Sequence, residues 1–173
     1  MSKYSRDELI GTFIDAVRSS QTATDMLDEA VADHLGISGT AYRCLDILDR
    51  EGPMTIGRLA ELARVSPGAA TTLLDRLEQT GLARRTRDTE DRRRVLVEVT
   101  PELRQMAQQL YGKPEETASA LAVYTDEQLE FLISFLQGNV AYQHELLRRL
   151  DALKAHNAAE TTSPLTKGAS EAV

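Results

Sequence analysis

Val65-Ser-Pro-Gly-Ala-Ala-Thr-Thr-Leu-Leu-Asp-Arg-Leu-Glu-Gln-Thr-Gly-Leu82 carries the signals for one helix and both of its ends. Ser66 offers a side-chain oxygen to the N–H groups that a first turn leaves without partners, and Pro67 lacks the N–H that position N1 would leave unused. Ala70, Leu73, Leu74 and Leu77 recur at the spacing of one helical face. A turn of about 100° per residue puts Gly68, Thr72 and Gln79 on the other side, flanked by Asp75 and Arg76. Gly81 closes the helix. From Leu82 the period changes. Leu82-Ala-Arg-Arg-Thr-Arg87 and Val95-Leu-Val-Glu-Val99 are β-compatible, and the arginine-rich segment between them reads as the charged tip of a two-stranded hairpin.

Working outward, Thr55 caps a short helix through Ile56, Leu59 and Leu62, and Ser38 caps another whose apolar face holds Ala41, Leu45 and Leu48 before Gly52-Pro53 stops it. Ser5-Arg-Asp-Glu8 is a capping box, and apolar residues from Ile10 to Leu35 recur at helical spacing, giving a long first helix over residues 6–35. Past the hairpin, Thr100-Pro101-Glu102 starts a fifth helix that Gly112-Lys-Pro114 must kink or interrupt. Thr125-Asp-Glu-Gln128, a second capping box, opens a long sixth helix that loses its apolar period near residue 155. The expected architecture is mainly α with a small β-hairpin wing. It is a single domain over 1–155, with a head at 38–100, dimerisation helices at 6–35 and 101–155, and a flexible tail at 156–173.

Composition narrows the function classes. With 42% hydrophobic and 27% charged residues among 173, the chain is globular. It has neither an apolar signal segment nor a run of the ~18 apolar residues that span a bilayer, so a soluble cytoplasmic protein without membrane partners is expected. The net charge of −7 is unevenly spread: nine Arg and six acids between Thr55 and Arg94 give that quarter +3 and leave −10 for the rest. A basic face on an acidic body suits site-specific DNA binding, because the remainder repels phosphate.

Short helix, tight turn, Ser-Pro-capped helix and arginine-rich hairpin together make a winged helix-turn-helix. The small and hydroxyl residues at the start of the fourth helix suit entry into a major groove. Ser66, Thr71 and Thr72 can donate to phosphates or base edges, Gly68 allows close approach, Arg76 can reach a phosphate or a guanine, and Thr55 and Pro67 complete the expected DNA-binding set. Thr71 and Thr72 are also compatible with plain surface positions on a core helix. In the hairpin, exclusive use of Arg favours bidentate phosphate contacts or insertion into a narrow minor groove, with Asp91 placed to orient a neighbouring guanidinium.

The runs Ile56–Ala63, Val65–Leu82 and Asp88–Thr100 resemble the signature of MarR-type regulators. The resemblance implies an obligate homodimer on pseudopalindromic double-stranded operators, commonly a repressor released by a small and often aromatic effector. It also implies that Thr71 and Thr72 read the major groove, that Arg92 and Arg93 serve the wing with Arg93 entering the minor groove, and that Asp91 braces that arginine. The position of Thr72 is often Arg in relatives, so the base preference does not carry over.

The long apolar stripes of the first and sixth helices exceed what the head covers, which independently favours pairing with a second copy. An effector cavity is expected where the head meets the dimerisation helices, lined by Phe13, Tyr42 or Tyr111. Cys44 lies within Tyr42-Arg-Cys-Leu-Asp-Ile47 without an obvious activating cation and reads as a small core residue. His34, His144 and His156 are too scattered for a metal site. No catalytic set or phosphate loop stands out, so no enzyme activity and no cofactor are expected. The other reading is a winged-helix protein-interaction module whose arginines meet an acidic partner without DNA binding.

Overall fold

The computed structural model describes the backbone of residues 3–162 and side chains to residue 157, and in it the capping signals become helix starts. The order is α1 (Arg6–His34), α2 (Gly39–Glu51), α3 (Ile56–Ala63), α4 (Pro67–Gln79), β1 (Ala83–Arg87), β2 (Val95–Val99), α5 (Pro101–Tyr111), α6 (Pro114–Leu121) and α7 (Asp126–Thr162). Ser5, Ser38, Thr55, Ser66 and Thr100 each accept an N–H from the third residue of the helix that follows. Both capping boxes close reciprocally: Ser5 N donates to Glu8 Oε2 at 2.7 Å, and Thr125 N to Gln128 Oε1 at 2.9 Å.

Two compact units make up the chain, Met1–Lys113 and Pro114–Val173. Their boundary falls in the expected Gly112-Lys-Pro114 break. Gly112 ends α5 with a φ of 83°, a left-handed conformation that side chains resist, and Pro114 opens α6.

In the first unit the core is made by facing stripes. Leu45 and Leu48 from α2, Leu59 from α3, Leu74 and Leu77 from α4 and Val97 from β2 are all 2% exposed or less. Each such burial is worth about 1.5–3 kcal/mol. The strands pair antiparallel, with Ala83 opposite Val99 and Arg87 opposite Val95. Met54 adds a bridge on the other edge of β2, its N–H donating to the Val97 carbonyl at 3.1 Å and its carbonyl accepting from the Val97 N–H at 2.8 Å. A single bridging residue has no period, so the sequence does not announce it. Thr100, 7% exposed, caps α5 and donates to the Gly81 carbonyl at 2.7 Å, tying the end of β2 to the α4–β1 turn.

The second unit consists of α6 and α7. The last helix runs to Thr162, past the boundary near 155 drawn from the apolar period. Its sequence there is rich in alanine, the strongest helix former, so the helix can continue where the apolar period stops. Residues 163–173 of the expected tail lie outside the described residues. Among the described residues no helix is long and apolar enough to cross a membrane.

Candidate nucleic-acid interface

The turn between α3 and α4 is closed by Arg64, whose φ of 57° and ψ of 44° are left-handed, so α4 leaves sharply from α3. Ala70, Leu74 and Leu77 anchor α4 inward. This leaves Ser66, Pro67, Gly68, Thr71 and Thr72 exposed along its N-terminal half and Arg76 exposed in its last turn. A Cβ built on Gly68 meets nothing within 4 Å, so no contact within the chain requires a glycine there.

The hydroxyls are already engaged. Thr71 Oγ1 donates to the Pro67 carbonyl at 3.0 Å and Thr72 Oγ1 to the Gly68 carbonyl at 3.1 Å. Their protons are committed to the helix, so outward they present a methyl group and an oxygen that accepts, which suits a base amino group or a thymine methyl better than a phosphate. Ser66 and the half-buried Thr55 use their oxygens as caps, accepting from Ala69 N at 3.2 Å and Arg58 N at 3.3 Å.

The hairpin arginines divide into two groups. Arg84 Nε donates to Glu98 across the strands at 2.8 Å. Arg85 reaches back to α4, pairing with Asp75 at 2.8 Å and with Glu78, so the wing base is tied to that helix. Arg94 lies 3.7 Å from the Asp88 carboxylate. Half of the hairpin arginines counted in the sequence are therefore structural. Arg87 donates to the Arg92 carbonyl at 3.3 Å. Arg92 and Arg93 at the tip are exposed, and among the described residues their guanidinium groups make no ion pair.

The tip is held by two aspartates. Asp91 Oδ1 accepts the backbone N–H of Arg93 at 3.0 Å. The expected brace therefore acts on the main chain of Arg93 and not on its guanidinium. Asp88, with a side chain only 13% exposed, accepts from the Glu90 N–H at 2.9 Å and faces Arg94, while Arg94 N donates to the Asp91 carbonyl at 2.9 Å. Sequence reading missed Asp88. Its signal was present in Asp88-Thr-Glu-Asp-Arg-Arg, where each aspartate can fold back on the N–H two residues later.

Away from the head's exposed helix, a cavity of about 400 Å³ opens among α1, α2 and α5. Tyr42 and Tyr111 line it, their hydroxyls 2.7 Å apart. Phe13, expected beside them, is not part of this lining: it sits about three turns before Thr24, the first α1 residue of the wall, and is 48% exposed. Burial first, and then the bond to Tyr111, pushes the Tyr42 phenol well above its ordinary range, so it stays neutral. Cys44 is 1% exposed, and burial raises its thiol despite Arg43. Among the described residues no group of three or more His, Cys, Asp or Glu could hold a metal ion.

Residues 37–95 match the MarR family. The HTH-type transcriptional regulator YcgE of Bacillus subtilis is 35% identical over 150 residues, covering 86% of this chain and 97% of that protein. Among solved structures, a MarR family protein from Bacillus stearothermophilus superposes with a TM-score of 0.55 at 18% identity, over 82% of this chain and 99% of that one. NadR in complex with 4-hydroxyphenylacetate has a TM-score of 0.51 at 21% identity, over 80% of this chain and 94% of that one. The two structures establish likeness of fold. Together with the long alignment to YcgE and the match over α2 to the wing, they show that this chain belongs to the MarR family of helix-turn-helix transcriptional regulators.

Proposed function

We propose that this protein is a sequence-specific double-stranded DNA-binding repressor, active as a homodimer on a pseudopalindromic operator and released by a small molecule. The carrying observation is the division of the hairpin arginines: three are paired within the chain, while Arg92 and Arg93 are presented, unpaired, on a tip whose backbone two aspartates hold in place. Exposed guanidinium groups on a backbone held in place suit a groove or phosphate contact. The exposed start of α4 supplies the base-reading surface. As a regulator acting on DNA the protein works in the cytoplasm, and nothing in this reading asks for catalysis or a cofactor.

Dimerisation is supported by apolar surface that one chain leaves uncovered. Ile10, Phe13 and Ile14 on α1 are nearly half exposed, and Phe131, Leu136 and Val140 on α7 more than half. In a dimer the two α4 helices are expected about 34 Å apart, matching half-sites one turn of duplex apart. Selection of bound genomic fragments, followed by titration at several salt concentrations and sedimentation of the protein alone, tests both parts. Duplex binding without salt dependence, or only monomer at micromolar concentration, overturns the corresponding part.

Asp91 offers a discriminating substitution. Asp91→Asn keeps an oxygen for the Arg93 N–H and is expected to bind operator about as well as wild type. Asp91→Ala loses the acceptor and is expected to weaken binding as Arg93→Ala does. A brace on the guanidinium predicts loss in both. Simple electrostatics predicts tighter binding in both, since each removes a negative charge near phosphate. Thr72→Ala leaves the charge count alone, so it is expected to keep the salt slope while relaxing discrimination at one or two base pairs by about 1–3 kcal/mol.

A further inference from the structure

We propose that the cavity among α1, α2 and α5 selects aromatic cations over aromatic anions; this names the effector class of the regulated repressor proposed above and rests on that reading. The walls are apolar, with Leu27 and Val31 from α1, Leu45 from α2 and Met106 and Leu110 from α5, so the ligand needs a hydrophobic body.

The charged lining gives the sign. Asp28, Asp46, Asp49 and Arg104 face the cavity. Arg104 Nε lies 3.2 Å from Asp49, so those two offset each other. Asp28 and Asp46 are left. Among the described residues Asp46 pairs only with Arg50, at 4.0 Å, with both side chains more than half exposed, a weakly coupled pair. Across Tyr42 and these same two carboxylates lies a second cavity of about 450 Å³, which adds Asp25, Glu29 and Asp33 against Arg43 alone.

The negative charge is already felt within the site. Burial first, and the neighbouring Asp46 next, raise the proton affinity of Asp28, against a smaller lowering from its hydrogen bond with Tyr42. An ammonium or amidinium group placed there would meet both carboxylates, in a cavity that Tyr42 and Tyr111 also line. A carboxylate ligand would meet two carboxylates, with the single lining guanidinium already paired. A phenolic acid therefore suits this cavity poorly, although the NadR structure holds 4-hydroxyphenylacetate.

The test uses three ligands that share one phenol ring: tyramine with a positive tail, tyrosol with a neutral one and 4-hydroxyphenylacetate with a negative one. Calorimetric titration of the full chain without DNA is expected to rank them in that order, with tyramine at least about tenfold tighter than the acid. In the Asp28→Asn, Asp46→Asn double variant, shown to be folded by its melting curve, tyramine should fall to the affinity of tyrosol. Equal or tighter binding of the acid, no saturable binding of any of the three, or an unchanged preference in the double variant overturns the proposal. Duplex binding is measured separately on ligand-free protein. Its failure would remove the regulator reading while leaving the ligand ranking to be read on its own.

Discussion

Replacing both tip arginines, Arg92→Ala with Arg93→Ala, is expected to make operator binding about two units shallower in its dependence on log salt and roughly 30-fold weaker at 0.15 M salt, with melting unchanged. The magnitude follows from counterion release: each neutralised phosphate contributes a slope of about 0.9, hence about fivefold per arginine between 1 M and 0.15 M. Stability should hold because neither guanidinium pairs with another described side chain. The control is Arg85→Ala. That substitution removes the guanidinium that pairs with Asp75 and Glu78, so it should lower the melting temperature as well as the affinity. Fluorescence anisotropy at four or more salt concentrations measures the slopes. If the double variant keeps the wild-type slope, the tip does not touch DNA.

Leu77→Ala is expected to destabilise the first unit by about 3–5 kcal/mol, the largest effect on folding among the substitutions considered. Leu77 is fully buried on the inward face of α4, in the cluster that includes Leu59, Leu74 and Val97. Truncation removes methyl groups from the cluster that α2, α3, α4 and the sheet share, leaving a hole in it. A loss of that size is a large share of the 5–15 kcal/mol that a domain of ordinary size has. Chemical denaturation should show a lower midpoint with a nearly unchanged slope. Thr72→Ala, one helical face away and exposed, should stay within about 0.5 kcal/mol of wild type. Should Leu77→Ala cost less than about 1 kcal/mol, α4 is not clamped as described.

The same contrast marks how far the sequence could be read. The starts of α1 to α5, the hairpin strands and the inward face of α4 were legible because each depends on local chemistry: a hydroxyl three residues before a free N–H, a proline at N1, a period of 3.6 or 2. The break at Gly112-Lys-Pro114 was legible as a break but not as the boundary of a second unit, since a kink and an interruption start from the same residues. The end of α7 was not legible because apolar periodicity reports on one face of a helix, and an alanine-rich stretch can stay helical after that period stops.

At the site, residue types were legible and partners were not. The sequence by itself determined that an arginine-rich tip follows a Ser-Pro-capped helix, because turn chemistry and periodicity act over a few residues. Only the tertiary structure decided which arginines are spent. Arg85 meets Asp75 and Glu78 once the hairpin folds back on α4, and Arg84 meets Glu98 once the strand register is set. It also decided that Asp91 holds a backbone and not a guanidinium, that Phe13 stands apart from the cavity while Tyr42 and Tyr111 meet across 69 residues, and that Asp28 and Asp46 face the same space. Ion pairs and cavities depend on distances between segments remote in sequence, and those distances are set by how the buried faces of α2, α3, α4 and the sheet fit together, which no local pattern encodes.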